Sequence, residues 1–182
     1  MNRNSISPEA KEKANKRIAE NLLLPAFKNA ADTSGNVNGK SPWNPSVSST
    51  SRVKGNVKAP EFCPCCGVGK VTCVPHSKIY GGRSFGDWPW ALACDNCDAT
   101  VGLHPFTNIP LGTLATKKLR DLRMQAKNAF NPLWQTGNMT RTQAYEWLAT
   151  AMGLSSDDAH IGMMNEEQCK KCIEVSEAMY FD

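Results

Sequence analysis

Three observations on this 182-residue chain predict an α+β fold. Two Cys-x-x-Cys pairs, Cys63 with Cys66 and Cys94 with Cys97, bracket a stretch rich in β-branched and aromatic residues. Helical spacing of apolar residues becomes clear beyond Pro110. Before Pro60 the chain is basic and poor in apolar periodicity. Together these predict a zinc β-ribbon packed on about three helices, behind a flexible basic N-terminal arm. The boundary falls near residue 60: residues 1–60 read as arm and linker, residues 61–182 as the ribbon and its helices.

Composition narrows the class further. No apolar run approaches the roughly 18–20 residues that a membrane helix needs. The opening Met1-Asn2-Arg3-Asn4-Ser5 lacks the apolar region of a secretory signal. Eight Cys without such a signal favour reduced thiols and metal over disulfides, and hence a cytoplasm. The net charge of +4 is uneven. Met1 to Lys58 holds ten Lys/Arg against four Asp/Glu, and the remainder holds eleven against thirteen. A basic block of this kind can reach phosphates, or simply keep the chain soluble.

In chain order, Ser7-Pro8-Glu9 reads as a helix start: a capping Ser, Pro at the first helical position and an acid in the first turn. A short charged helix over 8–24 ends near Pro25. From about Asn29 to Pro60 the chain is dominated by Ser, Asn, Gly, Pro and Lys, which predicts a linker. Trp43 is the exception and reads as a residue that docks on the folded part or on a partner. Lys70 to Val74 predicts a strand and Ser77 to Tyr80 a second, broken by Gly81-Gly82. Trp88 to Cys94 returns to the second Cys pair, and Ala99 to Leu103 leaves it as a further strand.

Lys117 to Phe130 places Leu119, Leu122, Ala126, Ala129 and Phe130 on one helical face. Asn131-Pro132 ends that helix, and Leu133-Trp134 is expected to pack back on it. Thr140-Arg141-Thr142-Gln143 has capping-box spacing, and Gly153 terminates the helix that follows. Asn165 caps a last helix whose inner side carries Cys169, Cys172, Ile173, Ser176 and Tyr180.

The four cysteines Cys63, Cys66, Cys94 and Cys97 have the spacing of a tetrahedral Zn²⁺ site. Each pair sets two thiolates at one turn, and Gly67 supplies the positive φ that such a knuckle needs. Four sulfur ligands leave no open position for water, so the metal is read as structural. Cys65 stands beside the knuckle as a bystander, and Cys73 as a packing residue. Cys169, Cys172 and His160 are either packing residues or part of a second metal site. His104, with Asp98 and Asn108 nearby, is either bonded within the fold, or a metal ligand or general base. Paired carboxylates or an open metal site, which a nuclease needs, are not evident, and no catalytic residue is assigned.

These residues resemble a family. The motifs are Cys63-Pro64-x-Cys66-Gly67, Tyr80-Gly81, Cys94-x-x-Cys97-Asp98-Ala99-x-Val101-Gly102-x-His104 and Pro110 to Ala115. They continue through the Leu119 to Phe130 helix, Pro132-Leu133-Trp134, Ala144-Tyr145-x-Trp147-Leu148-Ala149 and His160-Ile161-Gly162. In this order they are similar to the zinc-finger-containing domain of tailed phages and prophages, a family of unknown function, over about residues 61–175. The resemblance implies a phage origin and a host cytoplasm, and no activity. A His is common in that family where Lys127 stands and an Asp where Asn131 stands, and this chain departs from both. The ribbon alone also resembles the C-terminal zinc ribbons of type IA topoisomerases, which hold single-stranded DNA.

The expected function is that of a phage accessory protein with one structural Zn²⁺, taking part in host takeover. It binds nucleic acid, as single-stranded DNA or RNA, or a host complex associated with nucleic acid. Lys78, Arg83, Lys117, Arg120, Arg123 and Lys127 are the expected phosphate contacts. Trp88, with Tyr80, Phe85 and Trp90, is the expected stacking surface, since rings beside cations hold single strands without sequence preference. The alternative is a protein-interaction module that inhibits or redirects a host protein, such as an RNA polymerase or a defence enzyme.

Overall fold

The computed structural model describes residues 6–29, 39–55, 57–137, 139–156 and 158–179. The chain divides into two compact units, Met1–Leu114 and Ala115–Asp182. The expected α+β architecture is present: a three-stranded antiparallel sheet with the four cysteines at one end, and helices with their own apolar core.

In the first unit the sheet runs β1 (Val71–Pro75), β2 (Trp90–Cys94), β3 (Thr100–Gly102), in that spatial order. Val71 pairs with Cys94 and Pro75 with Trp90, while Ala91 pairs with Gly102. β1 alternates buried and half-buried positions, as a sheet with one covered face requires. Val71, Cys73, Trp90 and Leu92 are buried in the core beneath it. Burial pushes the Cys73 thiol far above its usual range, consistent with a packing residue.

The second expected strand is not one. His76–Ile79 forms a single helical turn, α3, directly after Pro75, within the connection from β1 to β2. Gly82 N–H donates to the Ser77 carbonyl at 2.9 Å, which closes the turn back on itself. The run Ser77 to Tyr80 looks extended by composition. However, four residues carry too little periodicity to separate the two states.

The described parts of residues 1–60 differ from a free arm. α1 (Pro8–Leu22) begins as expected, with the Ser7 hydroxyl accepting from Ala10 N–H at 3.2 Å and Pro8 in the first turn. Its last turn is tied to the loop after β3: Asn21 Nδ2 donates to the Asn108 carbonyl and side-chain oxygens at 3.3 and 3.2 Å. Asn108 Nδ2 in turn donates to the Ile18 carbonyl at 3.3 Å. A 3-10 turn, Pro25–Phe27, buries Ala26 and Phe27 in the same core as Trp90. Asn29 Nδ2 donates to the Cys73 carbonyl at 3.1 Å, alongside β1. Trp43 docks on the folded part: its Nε1 donates to the Phe27 carbonyl at 2.9 Å, and its ring meets Trp90 edge-on at 5.3 Å. α2 (Val47–Arg52) follows, with the Ser46 N–H held by the Phe106 carbonyl at 2.8 Å.

The physical reason is that polar anchors do the tethering. Buried Asn21 and Asn108 satisfy backbone carbonyls, a role that apolar periodicity cannot reveal. Replacing Asn21 by Ala should therefore lower the stability of the first unit by about 1–3 kcal/mol, read from denaturant midpoints, because buried partners lose their donor. A free arm would show no change.

The second unit contains α4 (Lys117–Phe130), α5 (Pro132–Gln135), α6 (Arg141–Met152), a 3-10 turn (Ile161–Met163) and α7 (Glu166–Ala178). Thr116 caps α4, and reciprocal capping boxes start α6 at Thr140 and α7 at Asn165. Gly153 ends α6 at φ 67°, the left-handed value expected of it. Ala126, Phe130, Leu133, Ala144, Leu148, Ile161, Met164, Cys169 and Cys172 form its core. Tyr180, expected on the inner side of α7, lies outside the described residues.

Candidate metal centre

The site is assembled from two loops that flank the sheet. Cys63 and Cys66 lie just before β1; Cys94 ends β2, and Cys97 lies in the turn before β3. Phe62 bridges Lys70, and the Cys63 N–H donates to the Gly69 carbonyl at 2.7 Å, which closes the first loop. Gly67, at φ 75°, returns its N–H to the Cys63 carbonyl at 2.8 Å. Asp95 clasps the second loop to the first: its Oδ1 accepts from Lys70 N–H at 2.8 Å and its own N–H donates to the Lys70 carbonyl at 3.1 Å.

The four Sγ atoms lie within 4.8 Å of one another. Cys63 and Cys97 sulfurs stand 3.7 Å apart, as do those of Cys66 and Cys94. A tetrahedron with Zn–S distances of about 2.3 Å has edges of about 3.8 Å, so the donor set fits Zn²⁺. Backbone N–H groups already point at the sulfurs: Cys65 to Cys63 at 3.4 Å, Gly69 to Cys66 at 3.4 Å and Asn96 to Cys94 at 3.3 Å. Such donors stabilise thiolates. The N–H groups of Val68 and Gly69 pull the Cys66 thiol down to about 6. At Cys97 the Ala99 N–H pulls the same way, but burial and the neighbouring sulfurs outweigh it and push the thiol up to about 12. Four sulfurs so close cannot all ionise without a cation between them.

Gly69 is a site residue that sequence reasoning missed. A Cβ at Gly69 would overlap the Cys94 Sγ and lie 2.8 Å from the Asn96 Cβ. Nothing in the local sequence signals this, because the obstruction comes from the other loop. Cys65 is exposed; its Sγ faces the Leu114 carbonyl at 3.6 Å, so it sits outside the sulfur cluster.

Among the described residues, no other group of three or more His, Cys, Asp or Glu donors converges as a metal site would require. Cys169 and Cys172 are buried in the second core, where burial raises both thiols, Cys172 to about 11. His160 is exposed and lies 5.7 Å from the Tyr145 ring. His104 is half-buried; burial, and then the charge of Arg17, holds its imidazole below the ordinary range. Asn108 beside it is spent on Asn21 and Ile18.

The expected phosphate and stacking residues divide between surface and core. Lys78, Arg83, Lys117 and Lys127 are exposed, and Arg120 is half-buried. Lys117 pairs with Asp121 at 2.6 Å, and an Arg120 guanidinium nitrogen donates to the Ala115 carbonyl at 2.7 Å. Two of the expected contacts are turned inward. Arg123 is 8% exposed and its Nε donates to the Met164 carbonyl at 2.9 Å, so it braces the second core. Trp88 is 5% exposed, its Nε1 donates to the Thr107 carbonyl at 3.1 Å and its ring packs on Phe106. Trp90 is wholly buried as well. Both Trp88 and Trp90 cover apolar core, because a small sheet needs large rings to fill its interior.

The rings outside the core form a cluster on the connection from β1 to β2. His76, Tyr80 and Phe85 meet edge-on or tilted at 5.4, 5.1 and 6.5 Å, and the Arg83 guanidinium sits 6.0 Å over the Phe85 ring. Phe85 is half exposed and Lys78 stands on the same turn.

Residues 59–179 match the family model of a zinc-finger-containing domain. No curated protein and no solved structure matches the chain.

Proposed function

The chain belongs to that zinc-finger-containing domain family, and from this premise we propose that its metal centre shapes a surface for nucleic acid. One Zn²⁺ ties the two loops at one end of the sheet, and the connection at the other end presents Lys78, Tyr80, Arg83 and Phe85. The observation that supports this reading is the ring cluster whose Phe85 is half exposed with a cation held over it. Exposed rings stack on bases and neighbouring cations meet phosphates, a combination suited to single-stranded DNA or RNA. The setting of this reading is the host cytoplasm of a phage, where the target is nucleic acid or a complex assembled on it. No helix among the described residues is long and apolar enough to cross a membrane.

The test is binding of a labelled single-stranded oligonucleotide to the zinc-loaded chain. Binding should weaken steeply with salt, as counterion release requires. Lys78→Glu with Arg83→Glu should weaken it by about tenfold or more, and Phe85→Ala should cost about 1–3 kcal/mol. An oligonucleotide that fails to bind even in low salt contradicts the reading.

A second reading has an observation of its own. Phe62, Val68 and Leu111 are each at least half exposed in the unit that holds the cysteines. Apolar residues left in water suit a protein partner, and a host RNA polymerase or defence enzyme is the kind of target this reading takes. A stoichiometric partner captured from nuclease-treated host lysate, and lost on Val68→Asp, is its expected result.

A further inference from the structure

We propose that the cleft between α1 and α2 binds a nucleoside phosphate through Lys13, Lys16, Arg17 and Lys54. The cleft has a volume of about 720 Å³, within the pocket range of about 300–1,000 Å³ that suits small ligands. Its floor is small and apolar, formed by Ala10, Ala14 and Val53, and its rim is cationic. Positions 10, 13, 14, 16, 17 and 20 recur at helical spacing, so they share the side of α1 that turns toward α2. A face that packs on another helix is ordinarily apolar. Here it carries three cations, and Lys54 adds a fourth from the chain after α2, against the single carboxylate of Glu20.

Those charges are not consumed internally. Among the described residues, Lys13, Lys16 and Lys54 form no ion pair. Arg17 is fixed in place by donating to the Val53 carbonyl at 2.9 Å and the Gly55 carbonyl at 2.8 Å, and among the described residues it forms no ion pair. Thr50, which also lines the cleft, is buried to 1% exposure, and its hydroxyl has no partner among the described residues. Cations at the rim suit phosphate oxygens, and the apolar floor suits a sugar or base. Free nucleotides and a nucleotide of a longer strand share this chemistry. The proposal does not rest on the ring cluster at Tyr80 and Phe85.

The experiment uses the full zinc-loaded chain at low salt with two probes, a fluorescent adenosine triphosphate analogue and a short labelled thymidine oligonucleotide. At least one should bind and be displaced by pyrophosphate. Lys13→Glu with Lys16→Glu on one wall, and Lys54→Glu on the other, should each weaken that binding by at least about tenfold. Lys78→Glu with Arg83→Glu should leave binding of the triphosphate unchanged. If only the oligonucleotide binds, with the same dependence on both walls, the ligand is the strand form of the same chemistry. If neither probe binds, the proposal is overturned. It is also overturned if Lys54→Glu binds normally, since the ligand would then lie along one helix rather than in the cleft. Sensitivity confined to Lys78 and Arg83 overturns the cleft and leaves the ring-cluster reading intact. The substituted lysines are exposed, so zinc content and melting temperature should match those of the parent chain.

Discussion

Replacing Cys94 by Ser should abolish stoichiometric zinc binding and unfold the sheet of the first unit. Cys94 ends β2, pairs with Val71 in the register and faces Cys66 at 3.7 Å. A serine hydroxyl is a harder, weaker ligand for Zn²⁺, and the remaining three sulfurs lose the closed tetrahedron. The loops around Cys63 and Cys97 then keep the two hydrogen bonds between Lys70 and Asp95, which are too few to hold them closed. All four ligands pack against the core that holds Trp90 and Leu92, so loss of the metal opens that core from one end. Metal loss belongs to the small set of changes that exceed about 4 kcal/mol, enough to unfold a marginal unit. The readout is zinc content together with the near-ultraviolet dichroism of Trp43, Trp88 and Trp90. The second unit has its own core and none of the four ligands, so the helical far-ultraviolet signal should fall only in part. Retention of one zinc per chain in the Ser variant would show that another residue completes the site.

Gly69→Ala should be nearly as severe, although it adds a single methyl and touches no ligand by name. The added Cβ would occupy the space of the Cys94 sulfur and press on Asn96. The obstruction cannot be relieved by a side-chain rotation, since the sulfur is fixed by the metal and Asn96 by the knuckle bond to Cys94. The Gly69 N–H also donates to Cys66 and its carbonyl accepts from Cys63, so a backbone shift at this residue disturbs two further ligands. Residues that support metal ligands typically cost about 10–100-fold in affinity when changed, and the upper end is expected here. Competition with a chromophoric chelator measures it. Gly67→Ala makes a useful companion: its Cβ meets open space, and its cost comes from φ 75° alone, so it should be much milder.

The contrast between these two glycines shows what the sequence makes legible. Gly67 follows directly from the knuckle pattern, because a local turn needs a local positive φ. Gly69 matters through a sulfur that is 25 positions further on, and no local pattern carries that. The four cysteines, β1 to β3, α4 and the caps of α6 and α7 are written in spacing and side-chain chemistry that act over a few residues. The single turn at His76 to Ile79 is too short for periodicity to distinguish from a strand. Residues before Pro60 look like a linker because Ala26, Phe27 and Trp43 are too few to make a periodic pattern. Their docking depends on Asn21, Asn29 and Asn108 reaching carbonyls far along the chain. Trp88 and Arg123 have the composition of a nucleic-acid surface and are turned inward by the needs of two small cores. The proposed surface, Lys78 to Phe85, is visible in composition but not in its ring geometry.

The most direct test of the account is chelator titration of the purified full-length chain, with released zinc and tryptophan near-ultraviolet dichroism followed together. One zinc per chain is expected, with the dichroism of the first unit lost in step with the metal and restored on its return. A metal-free chain that keeps the same dichroism and the same cooperative melting transition would contradict it.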